Sequence, residues 1–468
     1  MTNKPVMISP FSRRVLLGAA VALVIIFVPQ AWAQIVRETV FFDVPAGIAM
    51  NPNPSPSAQL IAVPNYPADA SRMTLIALLY HPDPAVHGSG PYPAVIVLHG
   101  SGGMWNSDTI ANGPTVHFEK WGQLLAARGY LAVIPDGFNP RGIPGGFANR
   151  RPHHDSAIDD AACSPNYERP KDVVAALTFL DARADVDREH IGIVGFSHGA
   201  QTGLNAILDP SVDLGNYTVD YTDANNNTVD LAVPDPIRIP AALPFPKVCV
   251  FYYPGCGHFS YHGSPNSLAA GRYMPDRRTQ VLMFHGTSDS LMGVGNGNLF
   301  PIKFVLAAGA QAATLGIPNP FVYHHIYDLV GHSFDETTIV PQIDWNTGNE
   351  SANAKANRLS QPETLKWLEY RLHEHTLTPQ PDVNNPGAHI VSWLGRDQLR
   401  YQVETSITLT SWDPQGVLTT GANAVLNAQV VLPVEQRVFY RLEVDPVPPP
   451  VNDVANVAFY REYADFGY

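Results

Sequence analysis

The sequence predicts an α/β fold, a mostly parallel sheet flanked by helices, followed by a small all-β unit. Three observations carry this. Continuous apolar runs such as Pro93-Ala-Val-Ile-Val-Leu98, Leu131-Ala-Val-Ile-Pro135 and Ile191-Gly-Ile-Val194 have the composition of strands buried on both faces. Helical patterns lie between them, which gives the strand-helix-strand series of a parallel sheet. After Thr376 the composition changes to short alternating runs punctuated by Gly, Pro and Asn. With 468 residues, 45% of them hydrophobic, the chain can bury a large core and hold more than one domain.

Residues 1–33 read as an export signal. A polar segment ends in Ser12-Arg13-Arg14-Val15-Leu16-Leu17, an apolar stretch follows to Val28, and Ala31-Trp32-Ala33 offers a small-x-small cleavage site before Gln34. The arginine pair resembles the twin-arginine type of signal, with an ordinary secretory leader as the alternative. The apolar run is shorter than the ~20 residues a membrane span needs. A periplasmic or secreted chain is therefore expected. Its formal net charge is -13, and losing the cations Lys4, Arg13 and Arg14 would take it to about -16. Nucleic acid is disfavoured as a partner, because phosphate binding needs a basic face.

Export permits disulfides, and the chain has three cysteines. Cys249 lies in the strand-like run Lys247-Val-Cys-Val-Phe-Tyr-Tyr253 and reads as a buried core thiol. Cys163 and Cys256 lie in loops and are the expected pair, free thiols being the alternative.

In chain order, residues 34–92 are extended and Pro-rich, with antiparallel edge strands expected over 39–42 and 73–80. The strand 93–98 runs into His99-Gly100-Ser101-Gly102-Gly103, a loop whose backbone N–H groups can turn toward a developing negative oxygen. Ser101 and Gly102 are the candidate donors here. A helix is expected over 116–128, a strand over 131–135, and a helix over 169–184 with Pro170 in its first turn. Between the last two lies the polar segment 136–167. Its His153, His154 and Asp155 lack the two-sided ligand spacing of a metal site, so a solvated loop or substrate wall is expected and no metal.

The strand 191–194 then leads into Gly195-Phe196-Ser197-His198-Gly199, the G-x-S-x-G pattern of a nucleophile on a sharp strand-to-helix turn. Glycine two residues either side of the serine removes the clash that a side chain would make there. Ser197 is the candidate nucleophile, and the His198 amide the second oxyanion donor. Residues 209–246 form a polar insertion with a hairpin over 217–221 and 228–231. Asp223, Asn225 and Asn227 alternate as in a calcium loop, but the required glycine is Thr228 and a plain turn is expected. Strands over 248–253 and 280–284 follow, the second running into His285-Gly286-Thr287-Ser288-Asp289. Asp289 is the candidate acid, with Asp328 and Asp335 as competitors. A helix over 299–315 and a strand over 321–327 lead to Leu329-Val-Gly-His332-Ser-Phe334, which makes His332 the candidate base. The order Ser197, Asp289, His332 is the strand-end order of a nucleophile, acid and base on one parallel sheet.

The blocks Leu-His-Gly-Ser-Gly-Gly, Gly-Phe-Ser-His-Gly, Tyr-Tyr-Pro-Gly-Cys, His-Gly-Thr-Ser-Asp and Gly-His-Ser-Phe together resemble the dienelactone hydrolase family of the α/β-hydrolase fold, over roughly residues 70–375. The resemblance implies a hydrolase without cofactor in which Ser197, Asp289 and His332 act as nucleophile, acid and base. It also implies that Cys256 is one end of the disulfide seen in exported relatives. The named family uses a cysteine nucleophile where this chain has Ser197, so an ester is expected as substrate, small or polymeric. A peptide or a β-diketone would use the same triad, and a non-catalytic binding protein is the alternative outside enzymes.

Domain limits are expected at 34–376 for the hydrolase part, 377–387 for a linker with Pro379, Pro381 and Pro386, 388–446 for the β-sandwich-like module and 447–468 for a tail. Strands are expected over 389–393, 400–404, 424–432 and 437–444, in a pattern that resembles immunoglobulin-like or fibronectin-like accessory modules. Trp393 and Trp412 are core candidates, a polymer-gripping surface being the alternative.

Overall fold

The computed structural model describes residues 35–44, 74–106, 110–141, 164–165, 168–212, 217–222, 228–233, 237–254, 273–291, 300–337, 350–373, 378–385, 388–395, 399–406, 413–420, 424–431, 439–446 and 460–461. In chain order it contains β1 (Val36–Asp43), β2 (Thr74–His81), α1 (Pro84–His87), β3 (Tyr92–Leu98), α2 (Val116–Ala127), β4 (Leu131–Pro135), α3 (Pro170–Asp181), β5 (Val186–Phe196) and α4 (His198–Ala206). There follow the hairpin of β6 (Tyr217–Thr222) and β7 (Thr228–Val233), then β8 (Val248–Tyr252), β9 (Gln280–Gly286), α5 (Phe300–Leu315), β10 (Phe321–Tyr327) and α6 (Ala352–Leu372).

The main sheet has the order β1-β2-β4-β3-β5-β8-β9-β10, in which the pairs β1-β2 and β2-β4 at one edge are antiparallel and the pairs from β4-β3 to β9-β10 are parallel. β3, β4, β8 and β9 are buried along their whole length, which explains their unbroken apolar runs. The two faces of the sheet carry separate cores. One gathers Leu98, Ile193, Leu204 and Phe251, the other Val97, Phe196, Tyr252 and Phe284. Alternate residues of one strand thus serve opposite faces. Cys249 is a buried free thiol in the first core.

The long helix α6 has no counterpart among the elements expected from sequence. Ser351 caps it, accepting from the Ala354 amide at 3.1 Å, and Pro362 lies inside it. Its buried face mixes apolar residues such as Leu368 and Leu372 with polar ones: Thr364 meets the Tyr252 hydroxyl at 2.6 Å and Glu369 accepts from the Tyr130 hydroxyl at 2.8 Å.

The C-terminal region forms two three-stranded antiparallel sheets. One is β11 (Thr378–Pro381), β12 (Ala388–Gly395) and β15 (Ala424–Val431); the other is β14 (Asp413–Thr420), β13 (Leu399–Ser406) and β16 (Phe439–Pro446). Residues of both sheets, among them Val391, Trp393, Tyr401, Val403 and Val430, share one apolar cluster. Trp393 is a core residue, 6.1 Å from the Tyr401 ring. Two segments differ from expectation. Thr378–Pro381, read as linker, pairs with β12 at the sheet edge, where prolines are tolerated. Within the expected tail, β17 (Tyr460–Arg461) pairs with His324 and His325. The export signal, His153, His154 and Asp155, the turn at 223–227, and Trp412 lie outside the described residues. Among those described, no helix is long and apolar enough to cross a membrane.

Candidate active site

The carboxyl ends of β3, β5, β9 and β10 bring the expected residues to one place. Ser197 follows β5 and opens α4 with φ 49° and ψ −114°, a backbone region that a residue with a side chain rarely adopts. The turn is held on both sides: the Ser197 amide donates to the Tyr252 carbonyl at 2.9 Å, and the Ser197 carbonyl accepts from Gln201 at 3.0 Å. The flanking glycines are steric requirements. A Cβ on Gly195 would lie 2.8 Å from the Ala200 Cα, and one on Gly199 would lie 2.3 Å from the Leu98 carbonyl oxygen.

Asp289 and His332 approach because two strand-end loops are zipped together. Thr287 donates to the Tyr327 carbonyl at 2.9 Å, Ser288 to Val330 at 3.0 Å, and the Leu329 amide to the Thr287 hydroxyl at 2.8 Å. A Cβ on Gly286 would stand 2.1 Å from the Val330 carbonyl oxygen, so only glycine permits this contact. The Gly331 amide donates to Asn353 Oδ1 of α6 at 2.9 Å, so the unforeseen helix anchors the loop that carries His332.

The result is a hydrogen-bonded series. His332 Nδ1 lies 2.7 Å from Asp289 Oδ2 and His332 Nε2 lies 2.8 Å from Ser197 Oγ. An ionised carboxylate can only accept, so Nδ1–H donates to Asp289, Nε2 is the acceptor, and the Ser197 hydroxyl donates to it. Asp289 and Ser197 are both buried. Leu291 donates its amide to the other Asp289 oxygen at 3.1 Å. The competing acids are engaged elsewhere: exposed Asp328 accepts from the Thr287 hydroxyl at 3.0 Å, and buried Asp335 accepts from the Tyr253 hydroxyl at 2.5 Å.

That second contact marks a residue which sequence reasoning used only as part of a block. Tyr253 has φ 37° and its ring centroid lies 4.6 Å from that of His332. Asp335 Oδ2 in turn faces His117 Nε2 at 3.7 Å, and burial lowers the His117 imidazole below its ordinary value. Burial also pushes the Tyr253 phenol well above its ordinary value, with the charges of Asp335 and Glu336 adding to the effect. The phenol is therefore a fixed donor.

On the other side of Ser197 stands the loop after β3. A Cβ on Gly100 would lie 3.5 Å from the Ser197 Cβ, so this loop packs directly on the Ser197 side chain. The amides of Ser101 and Gly102 have no acceptor among the described residues. His198 is the first residue of α4, so its amide stands at the helix N-terminus beside Ser197. Cys163 and Cys256 lie outside the described residues. No group of three or more metal-ligating side chains gathers among those described.

Residues 75–221 match the family model described as the dienelactone hydrolase family. The match covers about a third of the chain. It spans β2 through β6 and includes the loop after β3 and the Ser197 turn. Similar solved structures include a dienelactone hydrolase-like promiscuous phosphotriesterase from metagenomic libraries, at 15% identity over 72% of this chain and 99% of that one, TM-score 0.38. A thermophilic esterase of the Planctomycetes species Thermogutta terrifontis is similar at 15% identity over 68% and 97%, TM-score 0.35. A chain called m3DLH is similar at 14% identity over 72% and 99%, TM-score 0.40. Likenesses this distant carry no functional argument. No curated protein matches the sequence. The α/β-hydrolase fold stands on the sheet order and on the family match over residues 75–221.

Proposed function

We propose that the chain is an exported serine hydrolase of carboxylic esters. One observation carries the reading, the series Ser197 Oγ, His332 Nε2, His332 Nδ1 and Asp289 Oδ2 at 2.8 and 2.7 Å on a strained strand-to-helix turn. Ser197 Oγ attacks the ester carbonyl carbon as its proton passes to His332 Nε2, and Asp289 stabilises the imidazolium that forms. The carbonyl oxygen becomes an oxyanion facing the amides of Ser101 or Gly102 and of His198. Collapse breaks the bond to the alcohol, which leaves with the proton from Nε2 and gives an acyl-serine. Water then repeats the sequence with His332 as base, releasing the acid and restoring Ser197. No cofactor enters the balance. The serine in place of the family's cysteine supports an ester rather than a dienelactone.

Ser197→Ala removes the bond-forming atom and nothing else. Turnover of a short-chain p-nitrophenyl ester is expected to fall on the order of 10^4-fold or more, and a fluorophosphonate probe to label the native protein but not the variant. Turnover unchanged by the substitution would overturn the assignment.

A further inference from the structure

We infer that Arg169 is a positioning residue that locks the two halves of the oxyanion site together; the inference rests on the ester-hydrolase reading above. Arg169 is the N-cap residue of α3 and is about 1% exposed, the largest of the fully buried side chains. Its guanidinium reaches both loops that frame Ser197. Nη2 donates to the His99 carbonyl oxygen at 3.0 Å, and Nη1 donates to His198 Nδ1 at 2.7 Å. Because arginine can only donate, the His198 ring carries its proton on Nε2. The guanidinium carbon also lies 5.0 Å from the centre of the Phe138 ring, on the segment after β4.

These contacts hold the two carbonyls of the chain that leads into the Ser101 amide. Arg169 binds the His99 carbonyl. The His99 ring donates from Nδ1 to the Gly100 carbonyl at 2.8 Å, while its Nε2 accepts the Gly137 amide at 3.0 Å. With both carbonyls so engaged, the peptide planes entering Gly100 and Ser101 are fixed, and with them the direction of the Ser101 amide. The opposite donor belongs to His198, whose side chain is held by the same guanidinium and whose carbonyl accepts from Thr202 at 2.9 Å. One charged group thus sets the spacing between amides carried by β3 and by β5. Donors aimed at a developing charge must be placed before the reaction begins, and a shift of about 1 Å costs on the order of 10^2-fold in rate. Charge-assisted bonds in a buried setting are the kind that hold such a spacing.

The test uses the full-length mature protein with Arg169→Gln and Arg169→Lys, hydrolysing p-nitrophenyl acetate. The end-point of fluorophosphonate labelling counts folded sites, so kcat is expressed per competent Ser197. Arg169→Gln is expected to lower kcat roughly 10- to 100-fold with KM within about threefold. Arg169→Lys, which can still donate to one of the two acceptors, is expected to recover part of the loss. A purely structural role would lower the number of labelled sites and leave kcat per site unchanged, and that result overturns the inference. If Arg169→Gln does not fold, His198→Asn keeps Arg169 and its bond to His99 while shortening the other acceptor. A lower kcat at constant KM then supports the inference, and kcat within twofold of native overturns it. Native protein that neither hydrolyses esters nor takes the probe overturns the ester-hydrolase reading instead.

Discussion

Replacing Glu336 by glutamine is expected to stabilise the protein at neutral and alkaline pH and to leave its stability unchanged at pH 4. Glu336 ends the turn after His332, with its amide donating to the Ser333 carbonyl at 2.9 Å. Burial, and then the neighbouring charge of Asp335, push its carboxyl from 4.5 up to about 7, against a lowering by the Ser333 side chain. In the unfolded chain the ordinary value returns. Between about pH 4.5 and 7 the unfolded chain therefore releases a proton that the folded chain keeps, and stability falls as pH rises through that window. A rise of this size corresponds to about 3 kcal/mol, and solvent reaching this incompletely buried side chain reduces it to about 1–3 kcal/mol. His325 runs the other way. Burial lowers its imidazole to about 4, with Glu363 opposing and Lys366 assisting. Below its ordinary value of 6.5 the unfolded chain takes up a proton that the folded chain refuses, so stability rises with pH between about 4 and 6.5. The two slopes oppose one another across most of that range. Glu336→Gln leaves the His325 slope uncovered. Urea unfolding of native and variant protein in half-unit steps from pH 4 to 8.5 reads the difference directly. The variant should gain nothing at pH 4 and about 1–3 kcal/mol at pH 8. A difference that is constant with pH would show that glutamine acts through packing, and a less stable variant at pH 8 would refute the burial argument outright.

Tyr253→Phe should lower kcat more than it raises KM, because the ring beside His332 stays but loses the hydroxyl that anchors it to Asp335 at 2.5 Å. The Asp335 oxygen left without its donor should also cost about 1–3 kcal/mol of stability in thermal or urea unfolding; unchanged stability and kcat would remove Tyr253 from the support of the base. For the exported, oxidised chain we propose a mature N-terminus at Gln34 and a Cys163–Cys256 bridge. Mass spectrometry after alkylation of the denatured, unreduced protein should then find Cys249 alone modified, and modification of all three cysteines would refute the bridge.

What the sequence made legible is what local geometry dictates. The spacing of Gly195, Ser197 and Gly199 is readable because each glycine answers a contact within the same turn or with the adjacent strand end. β3, β4, β8 and β9 are readable because both their faces are buried. α6 escaped notice because the positions it buries include Ser360, Thr364, Lys366 and Glu369, of which Thr364 and Glu369 meet distant tyrosine hydroxyls, and these polar positions interrupt the apolar stripe that marks a helix. β11 was masked by Pro379 and Pro381, residues that an edge strand accepts. Arg169, Asp335 and Asn353 act through partners 22 to 82 positions away, and a lone charged or amide residue in a sequence reads as solvated surface. Choosing Asp289 over Asp335 needed only the strand-end rule; assigning Asp335 to Tyr253 needed the fold.

Backbone strain gives a line of support for the site that does not depend on any motif. Four non-glycine residues among those described have positive φ: Ser197, Tyr253, Leu329 and Ser333. All four follow the carboxyl ends of β5, β8 and β10. Ser197 carries the hydroxyl, Tyr253 packs on the imidazole, and Leu329 and Ser333 bracket the loop that presents it. Each such conformation costs about 1–3 kcal/mol and persists only where surrounding contacts over-determine it. The contacts are present at each position in the bonds from Ser197 to Tyr252, from Tyr253 to Phe284, from Leu329 to Thr287 and from Glu336 to Ser333. A fold selected for stability alone would not gather four such costs, together with a carboxyl whose ionisation is opposed by burial, within reach of one histidine. Their concentration there argues that the strain is retained because it aims Ser197 and His332 at each other.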